Sequence, residues 1–102
     1  MSSVATTKED ILRLLGKFKN NRKEEYGLLS LGIFGSFARN EATTESDIDI
    51  VFETKNPNLF KTVHLKRELE ELLDRQVDII RLRKDMNPRL KKRILQDVRF
   101  VE

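Results

Sequence analysis

Gly35-Ser36-Phe37-Ala38-Arg39-Asn40, followed by Ser46-Asp47-Ile48-Asp49-Ile50-Val51-Phe52, is the stretch that decides the fold. In a strand successive side chains point to opposite faces, so Asp47 and Asp49 project one way while Ile48 and Ile50 project into the core. Two like charges held side by side repel unless a cation lies between them. Carboxylate oxygens are hard ligands suited to Mg²⁺, which keeps several waters and completes its shell with substrate phosphates. With a phosphate-sized turn at Gly35-Ser36 just ahead of the strand, the pattern reads as metal-assisted nucleotidyl transfer. A site for two metals needs a third carboxylate, and Asp78 in Gln76-Val77-Asp78-Ile79-Ile80 offers one on a further strand. A lone Asp buried and unpaired there costs on the order of 2–7 kcal/mol or more, a penalty that a metal or cationic partner removes.

These residues resemble the nucleotidyltransferase superfamily with the DNA-polymerase-beta-like fold, and within it the minimal nucleotidyltransferase (MNT) branch. The likeness runs from about Leu28 to Ile80. That branch carries Gly-Ser, an Ala-Arg-Gly turn, a gap, Asp-x-Asp and a later Asp on a neighbouring strand. Gly35, Ser36, Ala38, Arg39, Asp47, Asp49 and Asp78 match, while Asn40 stands where the branch usually has Gly. Asn tolerates a left-handed backbone better than most residues, so the turn is expected to survive. The resemblance implies that Asp47 and Asp49 hold two Mg²⁺ ions and that Asp78 completes the site of the ion that activates an acceptor hydroxyl. Asp78 is then also placed to take the hydroxyl proton. ATP is the implied nucleotide. Gly35, lacking a Cβ, lets the backbone approach its phosphates, and Ser36 adds a hydroxyl donor. Arg39 has two readings, a contact to phosphate or acceptor and an ion pair with Glu41 or Glu45.

With 102 residues there is room for one core, read as a single domain over 1–102, and the acceptor is expected to come on a partner. The chain has no Cys, which excludes a disulfide framework or thiolate metal site and fits a reducing compartment. No apolar run has the length of a membrane span, and Met1–Thr7 lacks a basic flank and apolar h-region, so a soluble, cytoplasmic protein without membrane contact is expected. Residues 1–54 hold 7 Lys/Arg against 9 Asp/Glu, and residues 55–102 hold 13 against 8, so the basic charge lies in the back half. The cluster Arg81, Arg83, Lys84, Arg89, Lys91, Lys92 and Arg93 reads as a solvated helix face in preference to a nucleic-acid surface.

Thr7 as cap, with Ile11, Leu14, Leu15 and Phe18 at helical spacing, predicts a helix over Lys8–Lys23. Leu28–Phe34 has strand composition, Ser36–Asn40 a short helix, Glu41–Ser46 a polar turn in which Ser46 caps, and Asp47–Glu53 the central strand. After Asn56-Pro57-Asn58, a helix carrying Phe60, Val63, Leu65, Leu69, Leu72 and Leu73 on a core face runs to Asp74-Arg75. Gln76–Arg81 is the third strand. Asn87-Pro88 starts a last helix with Leu90, Ile94, Leu95 and Val98 on one face and Arg93 outside it. His64 is expected at a packed boundary, and Tyr26 at a helix end. The fold class is α+β: a three-stranded mixed sheet with helices mainly on one face, its other face thinly covered and open to a homodimer or hetero-oligomer contact.

By resemblance the chain is identified as a Mg²⁺-dependent nucleotidyltransferase that places AMP from ATP on a hydroxyl. MNT proteins often serve as antitoxins of HEPN-domain ribonucleases, some by adenylylating a tyrosine, which makes a HEPN toxin the implied partner. Two alternatives stay open: a non-catalytic module that neutralises a toxin by occlusion, and an RNA- or tRNA-modifying nucleotidyltransferase.

Overall fold

Thr7 caps the first helix, α1 (Lys8–Tyr26), by accepting the Asp10 amide at 3.0 Å. The computed structural model describes residues 7–102; the N-terminal stretch read above for a leader, residues 1–6, lies outside them. Helix α1 runs a turn beyond Lys23, because Glu24-Glu25-Tyr26 contains no breaker and Tyr26 packs into the core. It stops at Gly27, whose left-handed backbone (φ 62°) lets its N–H return to the Glu24 and Lys23 carbonyls. Strand β1 (Leu28–Phe34), the four-residue helix α2 (Gly35–Ala38) and strand β2 (Ile48–Thr54) follow. Asn58 caps α3 (Leu59–Leu73) by accepting the Lys61 amide at 3.0 Å. Then come β3 (Val77–Arg81), α4 (Pro88–Asp97), capped by Asn87 with Pro88 in its first turn, and β4 (Arg99–Phe100).

The sheet order is β3-β2-β1-β4. β1 pairs antiparallel with β2 and with β4, and β2 pairs parallel with β3 through the α3 crossover. The sheet is therefore mixed, as expected, but among the described residues it has four strands and not three. Strand β4 is two residues long, too short for any periodicity to register. It lies close against Gly32, where a Cβ would come within 2.6 Å of the Arg99 carbonyl oxygen.

Helices α1 and α3 cover one face. Ile11, Leu15 and Phe18 of α1 and Leu65, Leu69 and Leu73 of α3 pack on Ile33, Ile48, Ile50 and Phe52. The shorter α4 covers the other face: buried Ile94 meets Val51 and Met86, with Phe34, Ile80 and Val98 around them. Two predicted core faces need correction. On α3, Phe60 is 86% exposed and Val63 51%. The two-residue step from Val63 to Leu65 turns the helix by about 200°, which puts Phe60 and Val63 opposite the Leu65–Leu69–Leu73 line. On α4, Leu95 follows Ile94 by about 100° and stands exposed. His64 likewise lies on the surface and not at a packed boundary, tilted against Tyr26 at 6.2 Å between ring centroids. Tyr26 closes the end of α1 as expected, its hydroxyl bonded to Glu68.

Ile50→Ala removes a fully buried side chain from the central strand and is expected to cost about 2–5 kcal/mol in urea denaturation. Phe60→Ala is expected to fall within about 0.5 kcal/mol of the parent, the value for a surface position. An equal loss from both would place Phe60 in the core.

Candidate active site

Strand β1 delivers the chain to Gly35, which sits at φ 72°. Its side is pressed against Asp49, so that a Cβ would collide with the carboxylate; this position requires glycine both for its backbone angle and for this approach. Arg39 N–H donates to the Gly35 carbonyl at 3.1 Å and Asn40 N–H to that of Phe37 at 3.2 Å. Asn40 adopts φ 60°, the left-handed conformation expected of it in place of Gly. Thr43 and Ser46 close the following turn, the Ser46 hydroxyl accepting the Thr43 amide at 2.9 Å. Arg75 steadies that turn. Its guanidinium lies 4.9 Å over the Phe37 ring and donates to the carbonyls of Thr43, Thr44 and Ser46. The sequence marks Arg75 only as the end of a helix, so this positioning role is new.

Asp49 is the centre of the site. In register it faces Phe34 of β1 on one side and Asp78 of β3 on the other. Its half-buried carboxyl is pushed above the ordinary carboxylate range, first by burial, then by the charges of Asp78 and Asp47; Arg39 pulls the other way. The three predicted carboxylates thus share one field. Two details differ from expectation. Asp47 lies just before β2, exposed, and Asp78 is exposed as well. Because β3 is an edge strand, Asp78 remains in water and bears no burial penalty.

Arg39 donates from Nε to Glu41 Oε1 and from an Nη to Asp97 Oδ2 of α4, both at 2.9 Å. The ion-pair reading therefore describes this structure, through Glu41 and not Glu45, with Asp97 as an unforeseen second partner. With Arg39 so paired, the three neighbouring carboxylates have no ion pair among the described residues, and the hard-oxygen donor set fits Mg²⁺. Their oxygens are spread more widely than the ligand atoms of Glu25, His64 and Glu68, two carboxylate oxygens and a ring nitrogen that lie within 4.8 Å of one another at the α1–α3 junction. That tighter trio already carries Arg22, whose Nη2 lies 2.8 Å from Glu68 and Nη1 3.3 Å from Glu25.

A cleft of about 260 Å³ opens between the Gly35-Ser36 turn and α4. Phe34, Gly35, Ser36 and Asp49 line one side, and Leu90, Arg93, Ile94 and Asp97 the other. Asp47 and Asp78 stand exposed outside it. A larger groove of about 490 Å³ runs between α1 and α3, but it holds none of the aspartates. Of the basic cluster, Arg83 pairs with Asp85 at 3.5 Å, and Arg93 turns out to face the cleft. The signal for Leu90, Arg93 and Asp97 was present as i, i+3, i+7 spacing, but nothing in the sequence says which face α4 turns to the site.

Since the folded pKa of Asp49 is raised above its unfolded value of about 3.9, the native state binds this proton more tightly than the unfolded chain. Stability falls as pH rises through that interval, and the full cost is present at neutral pH. Asp49→Asn is therefore expected to be more stable than the parent near pH ~7.5, the gap closing near pH ~3.5. Urea denaturation at both pH values checks this, and an Asn variant less stable at neutral pH would contradict it.

Residues 17–101 match the family described as polymerase beta, nucleotidyltransferase. A Methanocaldococcus jannaschii protein, provisionally named a protein adenylyltransferase, is 41% identical over 96 residues, covering 93% of this chain and 98% of its own. Protein adenylyltransferase MntA of Thermococcus cleftensis is 33% identical over 96 residues, covering 93% of this chain and 96% of its own. The solved structure of a protein provisionally described as a minimal nucleotidyltransferase superposes with a TM-score of 0.75 at 30% identity, over 94% of this chain and 97% of that one. A chain of the tri-AMPylated Shewanella oneidensis HEPN toxin in complex with MNT antitoxin shares the fold, with a TM-score of 0.68 at 19% identity over 92% of this chain and 71% of that one.

Proposed function

Because this chain belongs to the polymerase beta nucleotidyltransferase family, we propose that it is a Mg²⁺-dependent protein adenylyltransferase that moves AMP from ATP to a tyrosine hydroxyl of a HEPN-domain toxin and so acts as its antitoxin. The observation that carries the reading is Asp49, set in register between the Phe34-Gly35 turn and Asp78 and raised in pKa first by burial and then by both neighbouring aspartates. The names of the relatives support protein as the acceptor class, and the fold shared with an MNT–HEPN complex supports the partner. A cytoplasmic location is part of this reading, supported by a Cys-free sequence that fits a reducing compartment. No helix among the described residues is long and apolar enough to cross a membrane.

Asp47 and Asp49 would hold both ions, and Asp78 would join them on the acceptor side. Bound there, such ions would supply neutralisation of phosphate charge and stabilisation of the attacking and leaving oxygens. Gly35 leaves room beside Asp49, and the Ser36 hydroxyl donates to a phosphate oxygen. Arg39, fastened to Glu41 and Asp97, holds the turn against α4. The acceptor oxygen bonds to the α-phosphorus as the anhydride bond to the β-phosphate breaks, and pyrophosphate departs. Exposed Asp78 is within reach of an incoming hydroxyl and takes its proton.

With α-labelled ATP, Mg²⁺ and a co-purified HEPN partner, wild type is expected to label the partner, and Asp47→Asn/Asp49→Asn to leave it unlabelled while still forming the complex. A partner unlabelled by wild type but still neutralised would replace this reading with occlusion. Label on RNA would replace the acceptor class.

A further inference from the structure

We propose that Arg93 is the residue that selects a triphosphate in this cleft, by binding the two phosphates that leave as pyrophosphate. The inference rests on the nucleotide reading above and assigns its leaving-group end. Leu90, Arg93, Ile94 and Asp97 lie at i, i+3, i+4 and i+7 on α4, which places them on one helix face. Ile94 is buried beneath, and Leu90, Arg93 and Asp97 form the wall opposite Ser36 and Asp49.

Two cations line the cleft, and they differ in what they touch. Arg39 is bonded to two carboxylates at 2.9 Å each. Arg93 has no ion pair and no side-chain hydrogen bond among the described residues, and neither has the Ser36 hydroxyl across from it. An anion entering the cleft therefore meets one cation whose donors are not already engaged. At about 260 Å³ the cleft is below the roughly 300–1,000 Å³ that encloses a whole ligand, so it suits a phosphate chain with the rest of the nucleotide outside.

The direction of that chain follows from where the charges stand. Of Asp47, Asp49 and Asp78 only Asp49 lines the cleft, and Asp97 on its far wall is engaged by Arg39, so the reacting α-phosphorus belongs at the Asp49 end, and the β- and γ-phosphates extend along the cleft towards α4. As the anhydride bond breaks, its electron pair stays with the departing bridging oxygen, and the charge that develops on pyrophosphate is met by the guanidinium, whose planar donors suit two phosphate oxygens at once. Arg89, Lys91 and Lys92 do not line the cleft and remain a solvated face.

The test uses the whole chain with Mg²⁺ and measures dissociation constants for α,β-methylene-ATP and for inorganic pyrophosphate. Arg93→Gln is expected to weaken both by about 10- to 100-fold, the loss of a hydrogen-bonded charge, with Arg93→Lys between it and wild type and Lys92→Gln unchanged. Arg93 is exposed and its side chain bonds nothing among the described residues, so these variants keep the structure. Wild-type affinity in Arg93→Gln, or an equal loss in Lys92→Gln, overturns the assignment of Arg93 alone. Failure of wild type to bind the analogue overturns the nucleotide reading itself.

Discussion

The close approach of Gly35 to Asp49 is the constraint on which the rest of the site depends. It exists because β1 and β2 pair in the register that sets Phe34 opposite Asp49, and β3 then brings Asp78 alongside. A slip of one residue would turn every β2 side chain to the other face, exchanging Asp49 for Ile48 or Ile50. What forbids the slip is burial: Ile48, Ile50 and Phe52 are all within the main core, under α1 and α3. The apolar half of the strand thus fixes the carboxylate half. Asp49 opposes this with a raised pKa, a cost the core offsets and a bound cation would remove.

The second face of the sheet explains why a site exists there. Helices α1 and α3 leave it uncovered, and α4 closes only part of it, seated through Ile94 on Val51 and Met86. The Arg39–Asp97 pair ties the helix to the turn after β1. Such a pair, with both partners partly in water, contributes little stability by itself. Its effect is geometric, since it holds the far end of α4 at the edge of the cleft while Arg93 and Leu90 complete the wall.

Much of this was legible in the chain. The alternation Asp47-Ile48-Asp49-Ile50 dictates which side faces the core, and capping by Thr7, Asn58 and Asn87 is written in residue type. What was not legible is what tertiary placement decides. Strand β4 is too short for a period and is recognisable only from the space Gly32 leaves for it. Arg75 steadies the Thr43–Ser46 turn from roughly thirty residues away, a contact no local pattern records. The burial inferred for Asp78 failed because the sheet order, which makes β3 an edge, is not a property of the β3 sequence. The split of α3 into a buried line and an exposed Phe60–Val63 side was readable from helical angle, had the two-residue step been followed.

The openness of the carboxylate cluster bears on the kind of acceptor the proposed reaction takes. Asp49 is sheltered beside the cleft, but Asp47 and Asp78 stand in solvent outside it. A small acceptor would find few protein atoms there to orient its hydroxyl, and positioning is most of what nucleotidyl transfer asks of its enzyme. A hydroxyl borne on a second macromolecule is different: it arrives with its own surface, is oriented by that surface, and excludes water from the exposed carboxylates as it docks. The open edge that would be a defect in a small-molecule enzyme is therefore suited to a protein acceptor, which supplies on docking the wall that β3 leaves missing.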